Sequence, residues 1–178
     1  SCNVYFYTVG NQVGIDAIHK WATRLGLGEK SGIDLPNEVQ GLVPSPEWKQ
    51  RRFKEKWYAG ETVSVSIGQG GVSLTPVSMA VYAATLANGG FLVTPHLAKA
   101  ITYDSGVTRA LGWGEPVQVL KSETSTTISR MLTTVVDLSL AGGKDKLEHY
   151  SVAAKTGTAQ IANPAGGGYY ADRYLHSS

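Results

Sequence analysis

Lys155-Thr156-Gly157-Thr158, within Ser151-Val-Ala-Ala-Lys-Thr-Gly-Thr-Ala-Gln-Ile-Ala162, is the stretch that decides how this chain folds. Small and β-branched residues surround a single lysine. Gly157 stands where a side chain would otherwise block a close approach. That pattern reads as a strand with a glycine that admits a ligand or another backbone. Thr156 and Thr158 project from one face at period two, and Lys155 brings a cation to the same edge. A cation, two hydroxyls and free edge amides suit a substrate carboxylate and a developing oxyanion. An edge strand guarded by a lysine would carry the same residues, so the rest of the chain has to separate the two readings.

The chain has 178 residues, enough for one domain with a real core. Hydrophobic residues make up 42% and charged residues 17%, so it folds rather than staying disordered. A formal charge of +2 gives no ground for a nucleic-acid partner or a membrane surface. Cys2 is the only cysteine, which excludes an internal disulfide and a cysteine-rich zinc site. His19, His96, His149 and His176 are scattered without ligand spacing, so no metal and no cofactor are expected. There is no initiator Met, and the longest apolar stretch, around Ala80 to Ala87, is too short to span a bilayer. The chain reads as an internal piece of a longer protein, with any membrane anchor outside it.

Working outward from the Lys-Thr-Gly stretch, Tyr169 to Ser178 is expected to lead into another strand beyond a flexible Pro164-to-Gly168 loop. Upstream, a helix starts at a Ser122 cap, with Ile128, Met131, Leu132, Val135 and Val136 on one face, and Gly142-Gly143 closes it. Phe91 to Tyr103 reads as strand broken at Pro95, followed by a turn at Asp104-Ser-Gly106. Thr75-Pro76 starts a helix whose small-residue stripe, Val77, Ala80, Ala84 and Ala87, should be deeply buried; Asn88-Gly89-Gly90 ends it. Thr62 to Ile67 alternates β-branched residues with serines and suggests a short strand. The following Gly68-Gln69-Gly70-Gly71 lacks the Gly-Lys-Ser/Thr of a phosphate loop.

Glu47 to Tyr58 is basic and Trp-bearing. Five Lys or Arg fall between Lys49 and Lys56, which favours a solvated surface segment beside the site mouth over a binding patch. Gly28 to Pro46 is loop-rich. Ile15 to Leu25 is helical, with Ile15, Ile18, Ala22 and Leu25 on one face and Gly26 as the stop. Ser1 to Val13 is helix-like, with Tyr5, Phe6 and Val9 as its apolar side.

Ser1-Cys2-Asn3 at a helix start and Lys155-Thr156-Gly157 on a strand resemble two of the three signatures of the penicilloyl-serine transferases. The resemblance continues between them. Leu27-Gly-Glu-Lys-Ser-Gly-Ile-Asp-Leu-Pro36, Ser66-Ile-Gly-Gln-Gly70, Leu74-Thr-Pro76 and Leu86-Ala-Asn-Gly-Gly90 are similar to class B penicillin-binding proteins. Pro46-Glu-Trp-Lys49 and Lys56-Trp-Tyr-Ala-Gly-Glu-Thr62 look like the elongation type, penicillin-binding protein 2. The third signature, a nucleophilic Ser followed three residues later by Lys, is missing. No serine of this chain has a lysine at that offset, and in the family the nucleophile precedes Ser-x-Asn. The resemblance therefore implies the C-terminal part of a transpeptidase domain over residues 1–178, and this chain alone is expected to be inactive.

What the resemblance implies is an α/β fold with an antiparallel sheet packed between helices, incomplete at both ends. The implied reaction is acyl transfer from a terminal D-Ala-D-Ala. Ser1 relays a proton to the leaving amine, and Asn3 orients the substrate amide. Lys155 supplies positive potential. Thr156 and Thr158 bind the substrate carboxylate, Gly157 admits it, and the Thr158 amide forms half of the oxyanion hole. The implied partners are peptidoglycan stem peptides, β-lactam antibiotics, a polytopic membrane glycosyltransferase of the elongation machinery and the upstream part of the same domain, on the periplasmic face of the membrane. The rival readings are a serine β-lactamase or β-lactam sensor, and a non-catalytic scaffold of the elongation complex.

Overall fold

The computed structural model describes residues 2–139, 150–162 and 169–177, with side chains through 138 and from 150 to 157. Six helices and three antiparallel two-stranded ladders are present among them. The expected loop at Pro164–Gly168 and the glycine pair 142–143 lie outside these residues. No described helix is long and apolar enough to cross a membrane.

Helices α1 (Asn3–Val13) and α2 (Ile15–Arg24) are joined at Gly14, whose φ of 81° turns the chain. The α1 apolar side is not where the sequence places it. Tyr5 is 62% exposed and Phe6 is exposed beside it, while the buried point is Gly10. Helix α2 follows expectation: Ile15 is buried, and Gly26 at φ 82° lets the Leu27 amide turn back to the Ala22 carbonyl at 2.9 Å.

The Gly28–Pro46 segment is a loop held by carboxylates. Glu38 accepts from the Ser31 amide at 2.6 Å, from the Ser31 hydroxyl, and from the Gly32 amide at 3.0 Å. Asp34 reaches across the fold to the amides of Leu97 and Ala98 at 2.7 and 2.8 Å. The Ser31 hydroxyl holds the Glu38 carboxyl below its ordinary value, and the Ala98 and Leu97 amides do the same for Asp34. Lowered native values mean that this stabilisation is present above the ordinary 4.5 of Glu38 and 3.8 of Asp34, and is lost as pH falls through the native values. The unfolding midpoint of the protein should therefore drop between roughly pH 5 and pH 3, and less steeply in an Asp34→Asn, Glu38→Gln variant. Superimposable pH profiles for the two proteins would contradict this.

Helix α3 (Pro46–Phe53) starts on a Ser45 cap, whose hydroxyl accepts from the Trp48 amide at 3.2 Å. Residues Arg51 to Lys56 are exposed as expected, but Lys49 is only 7% exposed. Its ammonium reaches both Glu61 oxygens at 2.8 and 2.7 Å and lies 4.5 Å from the Tyr58 ring centre. One cation of the basic run is thus inside, and a carboxylate makes its burial affordable. Burial pushes the Glu61 carboxyl up, but the Lys49 ammonium and the Tyr58 amide outweigh it and hold the group below its ordinary value.

The strand expected over Thr62–Ile67 is instead the end of a helix, α4 (Ala59–Val65). The Glu61 side chain accepts from the Tyr58 amide at 2.8 Å and caps the first turn. Thr62 and Val65 are buried one turn apart, so the Val-Ser alternation serves a helical face.

Helix α5 (Pro76–Ala87) starts on the Thr75 cap as expected, with Thr75 accepting from the Ser78 amide at 3.1 Å. Its buried face is Ser78, Val81, Thr85 and Leu86 rather than the alanine stripe; Ala80 and Ala87 are exposed. The hydroxyls of Ser78 and Thr85 donate to the carbonyls of Thr75 and Val81 at 2.9 and 2.8 Å, so burying them leaves no polar group unpaired.

The Phe91–Tyr103 stretch divides into β1 (Phe91–Leu92) and β2 (Ala100–Thr102), with the expected break around Pro95. Strand β2 pairs with β3 (Thr108–Ala110) across the Asp104–Gly106 turn, and β1 pairs with β4 (Val117–Gln118). Helix α6 (Ser122–Ser139) packs on α5. Ser125 and Ser129 donate to the Leu86 carbonyl at 2.5 and 3.0 Å. The Ser122 hydroxyl donates to the Gly89 carbonyl at 3.1 Å instead of capping its own helix. Val136 is buried, whereas Met131 and Val135 of the expected apolar face are exposed. The serine-bearing side of α6 meets α5 because Leu86, next to the α5 terminus, has a carbonyl to offer. The last ladder joins β5 (Gly157–Ala162) to β6 (Tyr169–Ser177), the strand expected there.

Candidate active site

Asn3 is the first residue of α1, after Cys2 in extended conformation, and its side chain is exposed. Ser1 lies outside the described residues. What fixes α1 is its contact with α4: a Cβ on Gly10 would overlap the Ser66 side chain. Glycine here lets two helices approach to backbone distance. Gly10→Ala should lower stability, since overpacking of about 1–3 kcal/mol exceeds the ~1 kcal/mol gained by removing a helix-interior glycine. Adding Ser66→Gly should restore most of the loss in a urea titration; an additive further loss would show that the overlap is not the cause.

The Lys-Thr-Gly stretch enters the β5–β6 ladder from an irregular run over Ser151–Thr156, so Lys155 and Thr156 precede the strand rather than lying in it. The Ala154 amide donates to the Leu132 carbonyl at 3.4 Å, which ties this run to α6. Gly157 pairs with Ser177 and Thr158 with His176 in antiparallel register. Lys155, Thr156 and Gly157 are all exposed. The Lys155 ammonium donates to the Thr156 carbonyl at 2.7 Å, its one partner among the described residues. The cation is thus held at the strand's entrance with donor capacity left for an incoming carboxylate. The Thr158 side chain lies outside the description, while its backbone is fixed by the ladder.

The structure places Lys155, Thr156, Gly157 and the Thr158 backbone together. No hydrogen bond joins Asn3 to Lys155 among the described residues. Two of the histidines have structural partners: His19 Nδ1 lies 2.8 Å from the Val43 carbonyl, and His96 stacks on Trp113 with centroids 4.5 Å apart. Among the described residues no three His, Cys, Asp or Glu side chains group as metal ligands would. The residues that sequence reasoning missed are Asp34 and Glu38, which shape the Leu27–Pro36 loop, and the Lys49–Glu61 pair. Only a glycine-rich loop in need of acceptors hinted at the first two.

The penicillin binding protein transpeptidase domain family matches residues 1–178 of this chain, and the chain belongs to that family. It is 39% identical over 185 residues to the peptidoglycan D,D-transpeptidase MrdA of Acinetobacter baumannii, across 98% of this chain and 26% of that protein. Among solved structures, it superposes on penicillin-binding protein 3 of Mycobacterium tuberculosis in complex with aztreonam with a TM-score of 0.82 at 30% identity, covering 98% of this chain and 38% of that one. It superposes on penicillin-binding protein 2 in the complex with MreC from Helicobacter pylori with a TM-score of 0.75 at 31% identity, covering 89% of this chain and 29% of that one. The chain thus spans about a quarter of the length of the MrdA relative. The mixed helix and antiparallel-strand architecture expected from the sequence is the one these structures share.

Proposed function

We propose that the protein to which this chain belongs is a peptidoglycan D,D-transpeptidase of the elongation type, and that residues 1–178 form the C-terminal part of its transpeptidase domain. The observation that supports this best is the exposed Lys155 at the entrance to a glycine-led strand, in a chain that matches the family from end to end. A serine upstream of Ser1 attacks the carbonyl carbon of the terminal D-Ala-D-Ala bond. Its proton passes by way of Ser1 to the leaving D-Ala amine as the C–N bond breaks. Asn3 orients the donor peptide's amide. Lys155 provides positive potential, the hydroxyls of Thr156 and Thr158 take the donor carboxylate across the exposed Gly157, and the Thr158 amide faces the oxyanion. An amine of a neighbouring stem peptide then attacks the ester and frees the serine.

β-Lactams mimic the donor and stop at the acyl stage. The same reading places the domain at the periplasmic face of the membrane, beside a polytopic glycosyltransferase and the nascent glycan, with an anchor elsewhere in the protein. Incubating the full-length protein with a fluorescent penicillin and with nascent glycan should give a covalent adduct and cross-linked stem peptides. The isolated 178-residue chain should give no adduct. Stoichiometric, β-lactam-specific labelling of the isolated chain would refute the upstream nucleophile. A full-length protein that labels but does not cross-link would refute the transpeptidase in favour of a sensor.

A further inference from the structure

A second concave site is built around α3 and α4. A cavity of about 530 Å³ is lined by Pro44, Trp48, Phe53 and Trp57, by the Lys49–Glu61 pair and by Gly71. This volume falls in the range of roughly 300–1,000 Å³ typical of ligand pockets. Its one ammonium, Lys49, is spent: Glu61 holds it at 2.8 and 2.7 Å, and Glu55 stands 3.5 Å away. An anionic group entering the cavity therefore gains no free cation there, whereas an apolar one meets aromatic walls.

The rim has the opposite character. Arg52 lies one helical turn after Trp48 and so shares its side of α3. Lys54 and Lys56 lie on the short connection between Phe53 and Trp57, both of which line the cavity, and all three cations are exposed. Glu55 is the one acid of that connection. Phe53 is 55% exposed and Tyr58 is 51% exposed, with Lys56 lying 5.5 Å from the Tyr58 ring centre. A largely apolar pocket whose charges are closed on each other in the Lys49–Glu61 pair, inside a cationic, aromatic rim, complements one kind of surface.

We propose that this pocket docks a segment of a partner protein carrying a bulky apolar side chain, Phe or Leu, flanked by Asp and Glu. The apolar side chain fills the space between Trp48 and Trp57, and the flanking carboxylates pair with Arg52, Lys54 and Lys56.

The test titrates the full-length protein into a fluorescein-labelled peptide with one Phe between two pairs of Glu, followed by anisotropy in about 100 mM salt. Saturable binding is expected. It should weaken about tenfold or more in Arg52→Glu, Lys54→Glu, Lys56→Glu protein, and when Ala replaces the peptide's Phe. Gly71→Leu is expected to have the same effect, because Gly71 lines the cavity and a Cβ there would lie 3.4 Å from Pro44 and 3.9 Å from the Trp48 ring, leaving the larger side chain to compete for the same space. Penicillin labelling should match wild type in both variants, since neither touches the Lys-Thr-Gly site. If Gly71→Leu does not fold, the Ala-for-Phe peptide tests the pocket by itself. Absence of saturable binding below about 1 mM would overturn the proposal. So would equal binding of the Ala peptide, or heparin competition that Gly71→Leu leaves unchanged, either of which would mark a general polyanion surface.

Discussion

Lys155→Ala in the full-length protein is expected to slow acylation by penicillin by about 10²–10³ while leaving the melting curve unchanged. The two halves of this expectation rest on different facts. The ammonium is exposed, and its described hydrogen bond runs to the carbonyl of the next residue, Thr156, so it joins no two elements. Removing it takes nothing from the packing. In the acyl transfer proposed above, a positive charge at the entrance of β5 would stabilise charge that appears only as the tetrahedral intermediate forms. Its loss should therefore appear in the acylation rate constant measured by stopped flow. Lys155→Arg keeps the charge but changes the donor geometry, and should recover part of the rate. An acylation rate within twofold of wild type in Lys155→Ala would remove Lys155 from the site.

Gly90→Ala should produce the largest loss of stability, about 3 kcal/mol. Gly90 has φ 94°, and an added Cβ would come within 2.5 Å of the Leu120 carbonyl oxygen and 3.0 Å of its carbonyl carbon. Those are backbone atoms and cannot rotate away. Gly90 also anchors that backbone: its carbonyl accepts from the Val119 and Leu120 amides at 2.9 and 3.1 Å, and its amide donates to the Thr85 carbonyl at 3.0 Å. A shift that relieved the contact would break the junction between α5, β1 and α6. The neighbouring Gly89 provides the control. It has φ 88°, but its added Cβ would meet only the Ser122 hydroxyl, at 3.7 Å. Gly89→Ala should cost about 1–2 kcal/mol from the backbone conformation alone. Equal losses for the two variants in urea titrations would show that the approach of Leu120 contributes nothing.

These glycines mark where sequence reasoning ends. Asn88-Gly89-Gly90 is legible as a helix stop, because an alanine-rich run meeting two glycines cannot continue. The Asn88 side chain completes that stop by bonding both the amide and the carbonyl of Phe91, at 2.9 and 2.7 Å. Which of the two glycines a carbonyl crowds depends on Leu120, thirty residues later, and no local pattern contains that. Gly10 is the same case on α1. Tyr5, Phe6 and Val9 look like its buried side, yet the helix meets α4 at the residue with no side chain, since that is where two backbones can come closest.

By itself the sequence determined the family, the helix start at Thr75-Pro76, the turns at Gly26 and Gly106, and the candidate chemistry of Lys155 to Thr158, while the helix that starts on Ser45 came only from the structure. Each of the former rests on a residue's own covalent limits or on a short motif, and such information is local. The tertiary structure decided the rest. Val-Ser alternation over Thr62–Ile67 fits a strand and a helix equally well until Glu61 closes back on the Tyr58 amide and Thr62 and Val65 turn inward together. Alanines lose to Ser78 and Thr85 for the buried face of α5 because those hydroxyls satisfy themselves on their own helix. Lys49 goes inside while its basic neighbours stay in water because Glu61, twelve residues on, meets it there. Burial of a polar group depends on the partner it finds, and a partner is set by the folded chain rather than by the spacing of residues along it.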